Sequence, residues 1–215
     1  MSTNSLVQPP CSSTLADIFT SIGSLSELTE REKIEPKDMP ELEQWVLHRL
    51  SELDKRVRKG YTEYDFQGVF QSVFTFATVE LSSFYFDIRK DVLYCDGDTL
   101  ERRSARCVLD HIFLRLTAWL APVLVFTMEE VWLERYPGDE SSIHLTDMPS
   151  TPKTWLNEEL AKKWAVIRQA RRAVTAALEL QRTDKVIGSS LEASPVVYLE
   201  DHETFDLLKS IPFSD

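Results

Sequence analysis

One run of apolar residues at helical spacing limits what this chain can fold into. Its members are Phe66, Phe70, Phe74, Ala77, Leu81, Phe84 and Ile88. They recur every three or four residues, which places them on one face of an α-helix. Asp65 can cap the start of this helix, and the pattern predicts that the helix runs to about Asp91. A helix of this kind buries its apolar stripe against neighbouring elements, so we predict a core helix of an α-helical domain.

Proline and capping residues mark the ends of further helices. Pro40 suits a first helical turn, and the helix after it is predicted to end at Gly60. Thr99 can cap a helix that Pro122 ends, because proline lacks a backbone donor. Thr127–Glu130 has the spacing of a capping box for the next helix. The chain contains only 6 glycines, which favours helices over a turn-rich β architecture.

The pattern changes towards the C-terminus. Asn157 is predicted to cap a last long helix that reaches about Gln181. Beyond it, Pro195–Leu199 reads as a β-strand and Asp201–Ser210 as a helix. Because a lone strand cannot form a stable sheet, we expect a truncated α/β element here.

The predicted fold class is therefore mostly α, a helical bundle followed by a small truncated α/β element. We predict three parts: residues 1–38 as an N-terminal arm and linker with a short helix over Leu15–Leu28, residues 39–182 as the bundle, and residues 183–215 as the α/β segment.

Composition excludes several classes of function. The formal charge of -11 argues against a generic nucleic-acid coat, which is usually basic, but leaves room for a local basic patch. Cys11, Cys95 and Cys107 form no C-x-x-C pair, so neither a zinc ribbon nor a disulfide framework is expected. The longest uncharged apolar run, Leu116–Met128, is shorter than the roughly 20 residues of a membrane span, and Pro122 interrupts it. We therefore expect a cytoplasmic protein that does not bind a membrane.

Four long segments carry a family resemblance, together with the short Y-D-F (Tyr64–Phe66). The long segments are M-P-E-L-E-Q-W-V-L-H-R-L (Met39–Leu50), L-S-S-F-Y-F-D-I-R-K-D-V-L-Y-C-D (Leu81–Asp96), L-A-P-V-L-V-F-T-M-E-E-V-W (Leu120–Trp132) and K-V-I-G-S-S-L-E-A (Lys185–Ala193). In this order they resemble the anticodon-binding helical domain of class I aminoacyl-tRNA synthetases. The second and fourth are similar to the isoleucine branch. The resemblance covers about Met39–Ala193 and implies a bundle that recognises the anticodon stem-loop of tRNA(Ile) and positions the tRNA for aminoacylation.

The same family carries His-Ile-Gly-His and Lys-Met-Ser-Lys-Ser signatures in its catalytic domain, and neither occurs here. The glycines are isolated, so no phosphate-cradling loop is expected. The resemblance therefore implies a tRNA-binding fragment of a larger ligase, with no catalytic, cofactor-binding or metal-binding residue of its own. ATP and magnesium are expected only for the parent enzyme, and the rest of that synthetase is an expected partner. Two alternatives stay open: the corresponding domain of valyl-tRNA synthetase, and a helical protein-interaction domain without an RNA role.

The candidate tRNA-binding residues form the densest basic run of the chain. They are Arg168, Arg171, Arg172, Arg182 and Lys185. The first three lie at i, i+3 and i+4, so they share a helical face. Arginine makes bidentate, salt-sensitive contacts with phosphate, which favours a role at the anticodon stem. A solvated helix face explains the same spacing about equally well.

Other candidate clusters favour a structural explanation. The Lys55–Lys59 stretch closes a helix, where cations favour the helix dipole. We expect Arg102, Arg103 and Arg106 to form surface pairs with Glu101 and Asp110. The phenylalanines of the long helix could stack on bases, but their spacing favours core packing.

Overall fold

The computed structural model describes residues 33–95, 97–189 and 192–209, and it confirms a mostly helical fold. The α-helices are α1 (Glu41–Thr62), α2 (Phe66–Thr75), α3 (Asp87–Tyr94), α4 (Leu100–Leu120), α5 (Val125–Arg135), α6 (Glu158–Thr183) and α7 (His202–Lys209). A π-helical segment, Phe76–Phe86, joins α2 to α3. Short 3-10 turns lie at Pro36–Asp38, Ile143–Leu145 and Lys153–Trp155. No described residue belongs to a β-strand.

The chain divides into two compact units, with the boundary between Leu156 and Asn157. We call them unit 1 and unit 2 and describe each by itself. The boundaries predicted from the sequence at residues 38 and 182 stay predictions. The predicted N-terminal short helix over Leu15–Leu28 lies outside the described residues. None of the described helices combines the length and the apolar character that a membrane crossing requires.

Helix α1 packs closely on α2 through a glycine. The prediction that α1 ends at Gly60 is wrong, because the helix continues to Thr62. Gly60 is buried, and a Cβ atom there would lie 2.5 Å from a side-chain methyl group of Val69. The residue is therefore a point of close helix contact rather than a helix end. The chain turns two residues later, where Tyr64 adopts a φ of 60°.

The long predicted helix exists, but its middle has a different hydrogen-bond pattern. Asp65 caps it as predicted, since its carboxylate accepts a hydrogen bond of 2.9 Å from the Gly68 amide. The chain stays helical to Tyr94, yet Phe76–Phe86 is π-helical. Within that segment the Ser83 hydroxyl donates to the carbonyl five residues earlier, at 2.8 Å.

The predicted apolar face of this helix is correct in its second half and wrong in its first. Ala77, Leu81 and Phe84 are buried as predicted. Before them, the core-facing side chains are Val69, Val73 and Phe76. In contrast, Phe66 is 47% exposed, and Phe70 and Phe74 are half-buried. Two neighbouring faces are both apolar here, and the valine face packs against α1.

Two ion pairs, one of them buried, join α1 to the long helix. The carboxylate of Glu43 is fully buried and accepts two hydrogen bonds of 2.7 Å from the Arg89 guanidinium. It also accepts a hydrogen bond of 3.1 Å from the Tyr85 hydroxyl. Burial, together with the charge of Glu43, raises the pKa of Tyr85 well above its usual value. A second bidentate pair, between Arg49 of α1 and Glu80 of the π-helical segment, also joins the two helices, at a point closer to the α1–α2 turn.

Helix α4 begins as predicted, but α5 does not. The Thr99 side chain accepts a hydrogen bond of 3.2 Å from the Arg102 amide, which confirms that cap. The capping box predicted at Thr127–Glu130 is wrong, because α5 already begins at Val125. Instead, the neighbouring Glu129 accepts hydrogen bonds of 2.9 and 3.1 Å from the Ser142 hydroxyl and the Ile143 amide. Glu129 thus attaches the loop after α5 to this helix, and α5 has no side-chain cap at Leu124.

A buried arginine attaches the loop after α5 to α4. Arg115 is 4% exposed and donates to the Ser150 carbonyl at 2.7 Å and the Thr151 hydroxyl at 3.1 Å. Its guanidinium also lies 4.5 Å from the ring centre of Trp155. Burial lowers its pKa to about 10. The His111 ring also contacts Trp155, at 4.9 Å between the ring centres. Burial, followed by the nearby positive charge of Arg115, lowers the pKa of His111 to about 4.

Unit 2 consists of α6, α7 and their connection. Asn157 caps α6 as predicted, with a 3.0 Å hydrogen bond from the Leu160 amide. The helix predicted over Asp201–Ser210 is confirmed as α7. The β-strand predicted over Pro195–Leu199 is not found, because these residues have no regular secondary structure. A strand requires a hydrogen-bonded neighbour, and no described segment supplies one.

Candidate nucleic-acid interface

The predicted tRNA-binding residues all lie in unit 2, but the structure separates them into two groups. Arg168, Arg171 and Arg172 lie in the middle of α6, and Arg182 and Lys185 lie at its C-terminal end. The ten residues from Arg172 to Arg182 correspond to roughly 15 Å along a helix. Arg168 and Arg171 are half-buried, whereas the other three side chains are exposed. The exposed three are therefore the more accessible candidates for phosphate contact.

The end of α6 folds back on itself and forms a cleft. The Asp184 amide donates to the Leu180 carbonyl at 3.0 Å, and the Val186 amide donates to the Gln181 carbonyl at 2.9 Å. Lys185 lies between them with a φ of 58°, a left-handed conformation that ends the helix. The resulting cleft has a volume of about 450 Å³ and is lined by Glu179, Arg182, Thr183, Lys185, Ile187 and Gly188.

The charges in this cleft can serve either of two purposes. The Arg182 guanidinium donates to the Glu179 carboxylate at 2.8 Å, and both side chains are about half exposed. An exposed pair of this kind is worth only about 0–1 kcal/mol, so the guanidinium can exchange its partner for a phosphate at little cost. However, cations at a helix C-terminus also favour the helix dipole, and that explains their placement without RNA. The assignment of these residues to tRNA binding stays a prediction.

Most of the other basic residues are already engaged within unit 1. Arg103 lies 3.2 Å from Asp98, and not against Glu101 or Asp110 as expected. Asp110 instead accepts a hydrogen bond from Arg135, whose guanidinium lies over the Phe113 ring.

The Lys55–Lys59 stretch is engaged in part. The Nε of Arg58 donates to both carboxylate oxygens of Asp54, at 3.0 and 2.9 Å, and its Nη2 donates to the Pro149 carbonyl at 2.7 Å. Lys55 and Arg56 from the same stretch are exposed. Among the residues that the structure describes, no group of three or more His, Cys, Asp or Glu side chains is placed to hold a metal ion.

Comparison with known proteins agrees with the helical architecture and the four sequence segments. Residues 43–197 match the family described as the anticodon-binding domain of tRNA ligase. The isoleucine--tRNA ligase of Ruegeria pomeroyi is 65% identical over 195 residues, which cover 90% of this chain and 20% of that protein. The isoleucine--tRNA ligase of Brucella abortus is 50% identical over the same shares. The isoleucine--tRNA ligase of Agrobacterium fabrum is 51% identical over 185 residues, 86% of this chain and 19% of that protein.

The chain thus spans about a fifth of the length of the curated relatives that it matches. The family match covers most of unit 1 and continues through α6. On these grounds, the chain belongs to the family of anticodon-binding domains of tRNA ligases.

Proposed function

We propose that this chain recognises the anticodon stem-loop of tRNA(Ile) and positions that tRNA for aminoacylation by a catalytic domain elsewhere in a parent isoleucine--tRNA ligase. The observation that carries the proposal is the 65% identity to an isoleucine--tRNA ligase over nine-tenths of the chain. The relatives named above all carry the isoleucine name, which favours this branch over the valine alternative. The protein-interaction alternative has only the net charge of -11 in its support.

In this proposal the parent protein supplies the chemistry and this chain supplies the tRNA contact. ATP and magnesium would bind the parent's catalytic domain, since the motifs that hold ATP in the family are absent from this sequence. The basic residues of α6 would contact phosphates of the anticodon stem, with Arg172, Arg182 and Lys185 the most accessible. The parent enzyme would act in the cytoplasm.

The test is a binding titration of the 215-residue chain with anticodon stem-loops. We expect tighter binding to the isoleucine stem-loop than to an unrelated hairpin, and an affinity that falls as salt rises. Tighter binding to the valine stem-loop would assign the chain to the valine branch. Equal binding to all hairpins at moderate salt would contradict specific anticodon recognition.

Charge reversal tests the basic residues. Arg172→Glu with Lys185→Glu should weaken binding and lower the slope of log affinity against log salt by about 1 for each lost phosphate contact. Lys162→Glu with Lys209→Glu is the matched control, because both residues are exposed cations of unit 2 outside the candidate set and the double change alters the charge by the same amount. If both changes act alike, the effect comes from bulk charge and these residues belong to a solvated helix face.

A further inference from the structure

The π-helical segment Phe76–Phe86 lies between two contacts that the long helix makes with α1. Before the segment, Val69 packs on α1 at Gly60, where an added Cβ atom would lie 2.5 Å from a valine methyl group. After the segment, Arg89 pairs with Glu43 of α1 through two hydrogen bonds of 2.7 Å. Val69 and Arg89 therefore face the same neighbouring helix, although they lie on opposite sides of the π-helical segment.

An uninterrupted α-helix would not place these two side chains on one face. Each residue of an α-helix rotates the chain by about 100°, so the 20 residues from Val69 to Arg89 would leave the two side chains about 200° apart. The buried side chains between them recur instead at every fourth position, and each step of four overshoots one α-helical turn by about 40°. They are Val73, Ala77, Leu81 and Tyr85.

The lengths of the two helices differ in the same sense. The 17 residues from Glu43 to Gly60 span about 26 Å of α1, whereas the 20 residues from Val69 to Arg89 would span about 30 Å as an uninterrupted α-helix. A π-helix has a wider turn, closed by hydrogen bonds to the carbonyl five residues earlier. Because a wider turn rotates and rises less per residue, the π-helical segment reduces both the excess rotation and the excess length.

The segment also contacts α1 through its own side chains. The Arg49 guanidinium donates to both carboxylate oxygens of Glu80, at 2.9 and 2.7 Å. The Phe84 ring meets the Trp45 ring edge to face, with 5.4 Å between the ring centres. Most π-helical structure in proteins is limited to single turns, so a segment of 11 residues requires support from its surroundings. The contacts with α1 supply that support.

We propose that Phe76–Phe86 is a conformational device with two registers. In the π-helical register it takes up surplus residues of the long helix and keeps α3 aligned with α1. In the α-helical register α3 is rotated, so that Arg89 points away from Glu43. The contacts with α1 hold the first register, and their loss releases the second. The device belongs to the fold of unit 1 and does not depend on the tRNA assignment.

Removal of one surplus residue is the main test. Without Ser83, an exposed residue in the segment, an α-helical long helix would place Arg89 only about 100° from Val69, which is the width of an ordinary apolar stripe. The deletion variant of the 215-residue chain should therefore unfold cooperatively in urea, with a midpoint within about 1 M of that of wild type.

Deletion of Lys55 is the matched control. Lys55 is an exposed residue of α1, which is α-helical throughout and has no surplus residue to give up. Its deletion rotates the buried residues on either side by about 100° relative to each other, so it should abolish the cooperative transition.

NMR couplings across backbone hydrogen bonds report the register directly. In wild type, amides of Phe76–Phe86 should couple to carbonyls five residues earlier, and this measurement does not depend on any variant folding. In the Ser83 deletion variant the couplings should move to carbonyls four residues earlier. Glu43→Gln in the full-length chain should produce the same move, because Arg89 then loses its charge partner.

Three results would overturn the proposal. Deletion of Ser83 could be as damaging as deletion of Lys55, which would show that the segment contains no surplus residue. Wild type could couple to carbonyls four residues earlier, which would show that the π-helical register is not populated. Glu43→Gln could fold and keep the wild-type couplings, which would show that the contacts with α1 do not select the register.

Discussion

Replacing His111 by asparagine should reduce the acid sensitivity of unit 1. Burial, followed by the positive charge of Arg115, lowers the pKa of His111 from 6.5 to about 4. The unfolded chain therefore takes up a proton near pH 6.5, whereas the folded chain resists it until about pH 4. Stability that is fully present above pH 6.5 is lost as the pH falls towards 4, since the unfolded state binds more protons there.

The size of this loss follows from the two pKa values. Relative to pH 7.5, the difference in protonation costs about 2 kcal/mol of unfolding free energy at pH 5 and about 3 kcal/mol at pH 4. Asparagine has no titrating group, so the variant should lack this share of the loss. Carboxylates that titrate in the same range act equally in both proteins and cancel in the comparison.

The assay is urea unfolding at pH 7.5 and pH 5, followed by tryptophan fluorescence. Four of the five tryptophans lie in unit 1, among them the fully buried Trp119 and Trp155 beside His111, so the signal reports mainly this unit. His202→Asn is the matched control, because His202 is exposed in unit 2, and it should leave the pH-dependent loss in place.

Two results would refute the reasoning. Wild type and the His111 variant could lose the same free energy between the two pH values. Alternatively, an NMR titration of the wild-type His111 ring could give a midpoint near 6.5, a measurement that holds even if the variant folds poorly.

Three further substitutions test the packing, each by the free energy of unfolding in urea. Glu43→Gln leaves the Arg89 guanidinium buried without its charge partner and should cost about 3–5 kcal/mol, and a loss below 1 kcal/mol would contradict the buried pair. Gly60→Ala places a Cβ atom 2.5 Å from a valine methyl group and should cost about 1–3 kcal/mol, whereas Gly97→Ala, with nothing within 4 Å, should cost little. Asn157→Ala removes the α6 cap and should cost unit 2 about 1 kcal/mol, while an unchanged midpoint would show that the cap contributes nothing.

Local chemistry made part of the fold predictable from the sequence. The caps at Asp65, Thr99 and Asn157 are correct because each side chain needs only the backbone amide three residues away. The capping box at Thr127–Glu130 fails because α5 begins at Val125, which places Thr127 inside the first turn. The contact between Glu129 and a loop more than ten residues downstream is also absent from any short window of sequence.

The exposed aromatics could not be predicted from spacing alone. Phe66, Phe70 and Phe74 follow a helical period, but Val69 and Val73 follow the same period on the next face. Which face is buried depends on α1, where Gly60 allows the valine side to approach. The useful local signal was the turn, since a tyrosine directly before a capping aspartate is placed outside the helix. The candidate site in unit 2 was found from charge density alone, and its role depends on a ligand that the sequence does not contain.

The long helix from Phe66 to Tyr94 therefore has two separable tasks. Its second half includes the segment most similar to the isoleucine branch, and there Tyr85 and Arg89 bind the buried Glu43 of α1. Its first residue, Phe66, projects into solvent beside the α1–α2 turn. The ion pair lies near the start of α1, at the opposite end of that helix from the turn. Substitutions at the ion pair should therefore lower the free energy of unfolding, whereas substitution of the half-exposed Phe66 ring should lower it less.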